Sequence, residues 1–178
     1  MKFNSKKIDI SKYIVYIIFV LCLIIFGIWL KGSFFSLSNL LNITRQAGAV
    51  SVMAIGMVFV IGLGHIDLSI GSVVAVSSLI TAYILRDTGN PVLAVIVAIG
   101  FGAIVGLFNG LCVTTIGMPA FLTTLGSQAI LTGIAMWISA TKAVPITHKG
   151  FLFWFGSGTI GQVPILLLWA VGATVIGY

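Results

Sequence analysis

Acidic side chains are almost missing from this sequence. Its 178 residues include three, Asp9, Asp67 and Asp87, against nine lysines and arginines, and only 7% of the chain is charged. Soluble domains carry about 25% charged residues. With 60% of residues hydrophobic, the chain reads as an integral membrane protein. Histidine and cysteine are equally scarce, two of each. Cys22 and Cys112 fall in apolar runs without metal-ligand neighbours, which points to small buried hydrophobes rather than a metal site. His65 and His148 lie far apart, and no nucleophile–base–acid constellation is visible. That argues against an intramembrane enzyme and leaves no cofactor or metal to assign. There is no Gly-x-x-x-x-Gly-Lys-Ser/Thr phosphate loop, so ATP is not hydrolysed by that route. Gly156-Ser157-Gly158-Thr159-Ile160-Gly161 fits G-x-G-x-x-G, but it follows no β-rich strand and no acidic residue lies downstream; the match reads as chance. The basic residues are scattered without interleaved aromatics, which excludes a nucleic-acid patch.

What is present is a series of apolar runs. Residues 1–12 form a polar tail with Lys2, Lys6, Lys7 and Lys12, and residues 13–30 are unbroken apolar sequence, just long enough to cross a bilayer. That run is long for a signal peptide and no small-x-small cleavage site follows it. Residues 33–46 are half polar, with Leu37, Leu40, Leu41 and Thr44 at helical spacing, as in an interfacial helix. Further spans are predicted over residues 47–64, 70–85, 92–113 and 121–139, and a sixth begins at Val163. Residues 141–162 read as one sizeable loop. The expected fold is therefore an all-α, polytopic transmembrane bundle of about six membrane segments. The positive-inside rule places the four-lysine tail in the cytoplasm and residues 141–162 outside. Lys31, Arg86, Lys142 and Lys149 then lie on the side that the rule disfavours.

Residues 62–72 organise the rest. Asp67, one of the three acids, sits between two apolar runs, where a carboxylate costs about 2.5 to 3.5 kcal/mol even on the mildest insertion scale. Gly62, Gly64, Gly71, Ser69 and Ser72 oppose a continuous helix. The stretch reads as a broken helix, with Asp67 or Ser69 capping the second segment by accepting from its first N–H groups. Irregular backbone at that depth must be buried in protein or line a watery cavity. A proton relay of His65 with Asp67 is the competing reading, and the capping reading is preferred. Ala94, Ala98, Gly102, Gly106 and Gly110 recur at i+4, a small-residue stripe that predicts close approach of a neighbouring helix. Asn109 beside it reads as interhelical glue, with a donor into a cavity as the alternative. Residues 121–139 are rich in Thr, Ser, Gln and Gly, and Thr123 and Thr124 are further polar candidates there.

These residues also carry a family resemblance. Gly56-Met57-Val58-Phe59-Val60-Ile61, followed by Ile66-Asp67-Leu68-Ser69-Ile70-Gly71-Ser72, resembles the membrane permeases of bacterial ABC importers for monosaccharides of the ribose, xylose and galactose type. That family carries Gly-Met-x-Phe-Val-Ile leading into Gly-Ile-Asp-Leu-Ser-Val-Gly-Ser. His65 stands where the family usually has a small residue. Leu37-Ser38-Asn39-Leu40-Leu41-Asn42-Ile43 and Pro119-Ala120-Phe121-Leu122-Thr123-Thr124-Leu125-Gly126 are similar to segments of the same permeases. The resemblance implies a permease subunit of an ATP-driven sugar importer in the bacterial inner membrane, over residues 13–178. It implies as partners an ATP-binding cassette subunit, a second permease, a periplasmic or lipid-anchored sugar-binding protein and membrane lipid. It implies a pathway or gate role for Gly64, His65, Ile66, Asp67, Leu68, Ser69, Gly71 and Ser72, with Asn109, Thr123 and Thr124 as polar contributors. The cytoplasmic loop that engages the ATPase normally follows the sixth helix, so the chain is expected to be an amino-terminal portion of such a permease. The alternatives are a permease for another small solute, such as an amino acid or a signalling furanone, or a non-transporting membrane scaffold.

Overall fold

A computed structural model describes residues 13–178. The basic tail of residues 1–12 lies outside the described residues. Among the described residues seven α-helices carry the fold: α1 (Ile14–Trp29), α2 (Leu37–Gly62), α3 (Ile70–Thr88), α4 (Pro91–Thr114), α5 (Ala120–Ser139), α6 (Lys149–Phe155) and α7 (Ile165–Gly177). Two short strands, β1 (Thr159–Ile160) and β2 (Val163–Pro164), pair antiparallel. The chain is all-α and polytopic. Helices α2, α3, α4 and α5 are long and apolar enough to cross a membrane, and α1 and α7 are shorter apolar helices. The described residues fall into two compact units divided within α2, between Ile43 and Thr44. In the first, the rings of Phe26 and Phe34 stack and Phe35 packs over Gly27.

Two boundaries differ from the sequence expectation. The interfacial helix at 33–46 and the span at 47–64 are one helix of 26 residues, roughly 39 Å long at 1.5 Å per residue. Nothing between Arg45 and Ala47 breaks a helix, so the polar turns continue into the apolar ones. Residues 141–162 are not a plain loop, since α6 and the first strand of the hairpin fold within them. The helix ends elsewhere follow local chemistry. Gly89, at φ +64°, ends α3. Asn90 then caps α4, its Oδ1 accepting from the N–H groups of Val92 and Leu93, with Pro91 in the first turn.

The core joins α3, α4 and α5 through Val76, Val105 and Leu131, with Val73, Ile80, Phe101 and Ile134 against them. Helices α3 and α5 run parallel. The Leu68 N–H meets Thr124 near their starts, and the Tyr83 hydroxyl donates to the Ile138 carbonyl near their ends. Helices α2 and α7 also run parallel. Gly48 lies against the backbone of Leu166, and Gly177 lies against Ile55 and Phe59. The outward face of α4 is apolar and open, with Ile96, Ile99, Ile104 and Leu107 each more than 60% exposed. A face of that kind suits lipid or another helix rather than water.

Candidate functional site

The break begins with the end of α2. The Gly64 N–H donates to the Ile61 carbonyl and the His65 N–H to the Val60 carbonyl. With Gly64 at φ +77°, this is the Schellman arrangement, which needs a left-handed residue and therefore favours glycine. The chain then runs without regular structure through residues 65–69 and enters α3 at Ile70.

Three elements hold this connector. Asp67 Oδ1 accepts from the Ser69 N–H at 2.7 Å and from the Ser69 hydroxyl at 2.6 Å. The Asn109 Nδ2 of α4 donates to Ser69 Oγ at 3.1 Å, and the Ser127 hydroxyl of α5 donates to Asn109 Oδ1 at 2.5 Å. The result is a one-way chain of donors, Ser127 to Asn109 to Ser69 to Asp67, ending on a carboxylate. Each bond polarises the next, and the last is charge-assisted. In parallel, Thr124 Oγ1 accepts from the Leu68 N–H at 3.1 Å and donates to the Ala120 carbonyl at 2.9 Å. Ser69, Asn109, Thr124 and Ser127 are buried. A buried polar group without a partner costs about 1 to 3 kcal/mol, and here each one has a partner.

The capping expectation changes in detail. Ser69 occupies the N-cap position of α3, but its side chain caps no N–H. Its hydroxyl is committed to Asp67, because a carboxylate is a stronger acceptor than the hydroxyl is for a neutral N–H. Asp67 in turn reaches the N–H of the cap residue itself rather than those of the first turn. The Ser72 hydroxyl folds back onto the Ser69 carbonyl at 2.7 Å. Among the described residues Asp67 and His65 make no ion pair, the one such pair being Arg86 with Asp87. No group of three histidine, cysteine or acidic side chains that could hold a metal ion occurs among them either.

Beside the connector lies a cleft of about 470 Å³. Val60 lines it from α2, Leu63 from the turn that ends α2, His65, Ile66 and Asp67 from the connector, Gly106, Asn109 and Gly110 from α4, and Thr124 from α5. An apolar cleft with a few convergent polar groups is the general form of a small-molecule site. Of the candidate residues, Leu68 is partly exposed and holds the connector through its N–H, Gly71 faces open space, and Thr123 is buried with its hydroxyl on the Pro119 carbonyl.

The small-residue stripe divides. Ala94 is fully buried and a side-chain carbon built at Gly102 would lie 3.9 Å from Val73, yet among the described residues nothing stands within 4 Å of one built at Gly106 or Gly110. Each i+4 step overshoots a full turn by roughly 40°, so five positions wind about 160° around the helix. Ala94 and Gly102 meet neighbours, Ala98 is half-buried between them, and the carboxy-terminal pair opens onto the cleft. Ser127 was absent from the candidates, although it lies one turn from Thr123 and Thr124 on α5. That i+3, i+4 spacing among rare polar residues was the available signal.

Comparisons with known proteins follow the same lines. The model of the family described as "Branched-chain amino acid transport system / permease component" matches residues 39–177. The chain is 35% identical over 148 residues to the ribose import permease protein of Escherichia coli strain K12, covering 80% of this chain and 45% of that one. It is 31% identical over 178 residues to the xylose transport system permease protein of Haemophilus influenzae, covering 99% and 46%. It is 30% identical over 158 residues to the D-allose transport system permease protein of E. coli K12, covering 88% and 48%. The chain thus spans about half the length of the curated relatives it matches. No solved structure matches it. With its apolar helices, its polar connector and this match over most of its residues, the chain belongs to the family of branched-chain amino acid transport system permease components.

Proposed function

We propose that this chain forms part of the wall of the solute pathway in an ATP-driven importer for a monosaccharide. The observation that carries this reading is the cleft beside Asp67, where a hydrogen-bonded carboxylate meets apolar walls and two open glycines. A sugar moving through a bilayer needs acceptors for its hydroxyls, held firmly enough that they do not collapse onto each other and weakly enough to release it. An acceptor fixed by a chain of donors meets both needs. The names of the relatives, which specify ribose, xylose and allose, support a pentose or hexose as the solute. The family description supports a second reading, a branched-chain amino acid.

In this proposal ATP hydrolysis belongs to a separate ATP-binding cassette subunit. A second permease completes the pathway, and a periplasmic or lipid-anchored binding protein delivers the sugar. The amino terminus is cytoplasmic, and residues 141–162 face outward. The four lysines of the amino-terminal tail support this sidedness, and the parallel run of α2 and α7 supports an odd number of crossings between them, as α3, α4 and α5 supply.

The test is reconstitution of the permease with its ATPase and binding protein in proteoliposomes, followed by ATP-driven uptake of ribose, xylose and leucine. Gly106→Leu should fill the cleft and stop uptake while assembly proceeds. Undiminished uptake by an assembled Gly106→Leu complex would place the pathway elsewhere, and leucine uptake without sugar uptake would favour the amino-acid reading.

A further inference from the structure

Lys142 and Lys149 stand at the end of the bundle where the positive-inside rule does not expect them, and the transport reading leaves them without a role. The structure gives Lys149 specific surroundings. Helix α6 is Lys149-Gly150-Phe151-Leu152-Phe153-Trp154-Phe155. It is fastened to α7 at its far end, where Trp169 Nε1 donates to the Trp154 carbonyl at 2.9 Å and the Phe155 and Trp169 rings stack at 5.5 Å.

The Gly-rich segment that follows folds back along α6. Gly158 is buried so tightly that a side-chain carbon there would overlap the Phe153 carbonyl, so only glycine can occupy the position. The Gly158 carbonyl accepts from the Ile165 N–H, and β1 then pairs with β2 through a turn at Gly161, φ +62°. The segment 156–161 that mimics a nucleotide-binding signature is therefore a built feature, the wall of a groove of about 360 Å³. Lys149, Ser157 and Thr159 form its polar side, and Leu152 and Phe153 its apolar side. Among the described residues the side chains of Lys149, Ser157 and Thr159 make no hydrogen bond or ion pair with one another or with any other residue. Phe153 and Trp154 are about half exposed beside them.

We propose that this groove holds the headgroup of an anionic phospholipid. A lysine and two hydroxyls offer one positive charge and both ammonium N–H and hydroxyl O–H donors to phosphate oxygens. Leu152 and Phe153 meet the glycerol and upper acyl carbons, and the exposed Trp154 beside them is of the residue type that collects at membrane–water interfaces. Charge complementarity favours this occupant. Residues 141–162 contain two lysines and no acid, and the nearby Arg86 and Asp87 neutralise each other. Lys149 then has a partner in the leaflet on its own side.

The experiment places the 178-residue chain in nanodiscs of phosphatidylcholine with and without phosphatidylglycerol, and counts retained lipids by native mass spectrometry. The wild type should retain phosphatidylglycerol over phosphatidylcholine. Lys149→Gln should lower that preference roughly five-fold, the worth of one surface lysine near anionic lipid, whereas Lys149→Arg should keep it. The double variant Ser157→Ala/Thr159→Val should weaken retention at unchanged charge, with helix content checked by circular dichroism for each. Equal retention of the two lipids by the wild type would overturn the proposal, and so would a preference that survives Lys149→Gln. The same holds if inorganic phosphate alone raises the melting temperature as phosphatidylglycerol does, which would mean a soluble anion. A groove indifferent to lipid but covered when a binding protein docks would likewise overturn it.

Discussion

Helices α3, α4 and α5 are joined where polar side chains meet, whereas α2 and α7 are joined where glycine lets one backbone touch another. In the first region Asn109 and Ser127 connect three segments through buried hydrogen bonds. In the second, Gly48 faces the Leu166 carbonyl group, and a β-carbon would come within 2.8 Å of it. Lipid tails are as apolar as leucine, so burial against another helix gains little, and packing and hydrogen bonding are left to hold a bundle. The two modes tolerate change differently. A hydrogen bond can be kept by another residue of the same chemistry, but a backbone contact across glycine has no substitute.

The largest effect is expected where the contact is steric. Gly48→Leu forces a side chain into the Leu166 backbone, which cannot rotate away as a side chain could. Overpacking of this kind costs about 1 to 3 kcal/mol or more, so the detergent melting temperature should fall sharply. Gly106→Leu, on an open stretch of α4, should leave it nearly unchanged. Equal losses in the two variants would dissolve the distinction between the packed and open glycines.

Next is the terminus of the polar chain. Asp67→Ala leaves the N–H and hydroxyl of Ser69, a residue 1% exposed, without their acceptor, at about 1 to 3 kcal/mol. Asp67→Asn keeps an oxygen in place and should retain most of the stability and substantial uptake in the reconstituted importer. Equal and complete loss of uptake in both, with normal assembly, would make the negative charge the working part rather than the hydrogen bonds.

A smaller effect lies in the middle of the chain. Ser127→Ala strips Asn109 Oδ1 of its donor, and Asn109→Leu removes the link itself. Each should cost between about 0.6 and 2 kcal/mol, the range for polar contacts between membrane helices. Because they share one bond, the double variant should cost less than the sum. Strict additivity in denaturation would show that the two side chains do not act together.

The same comparison explains what could be read in the sequence. The polar region was largely legible because Asp67, Ser69, Asn109 and Thr124 are rare polar residues in apolar runs, and a polar residue there must find a partner. Ser127 was lost among other small polar residues of α5, although its spacing from Thr124 placed it on the same face. The steric region was illegible. Gly48 is one of 21 glycines, and nothing local marks which of them meets a backbone from α7, more than a hundred residues later. The i+4 stripe was legible as a row, but its division was not: a straight helix carries the row around its own circumference, so Ala94 and Gly102 meet neighbours while Gly106 and Gly110 open onto the cleft. The fusion of 33–46 with 47–64 was missed for a related reason. A change from polar to apolar composition marks depth in the membrane and does not break a helix.

The finest test concerns Thr124, which holds the connector by one hydroxyl. Its oxygen accepts from the Leu68 N–H while its proton goes to the Ala120 carbonyl. The grip on Leu68 therefore costs α5 nothing in its own hydrogen bonding. Thr124→Val keeps shape and volume but leaves the Leu68 amide without an acceptor. Thr124→Ser keeps the oxygen and drops only a methyl group. Global stability should fall by less than about 2 kcal/mol in Thr124→Val, near the limit of a melting experiment. The local consequence is larger in relative terms, because residues 65–69 have no regular structure of their own. Amide exchange in a peptide covering residues 63–70 should speed up roughly tenfold for each 1.4 kcal/mol lost in Thr124→Val, and should stay near wild type in Thr124→Ser. If the two variants exchange alike, α5 does not hold the connector through this bond, and the burden shifts to Asn109 and the Ser69–Asp67 turn.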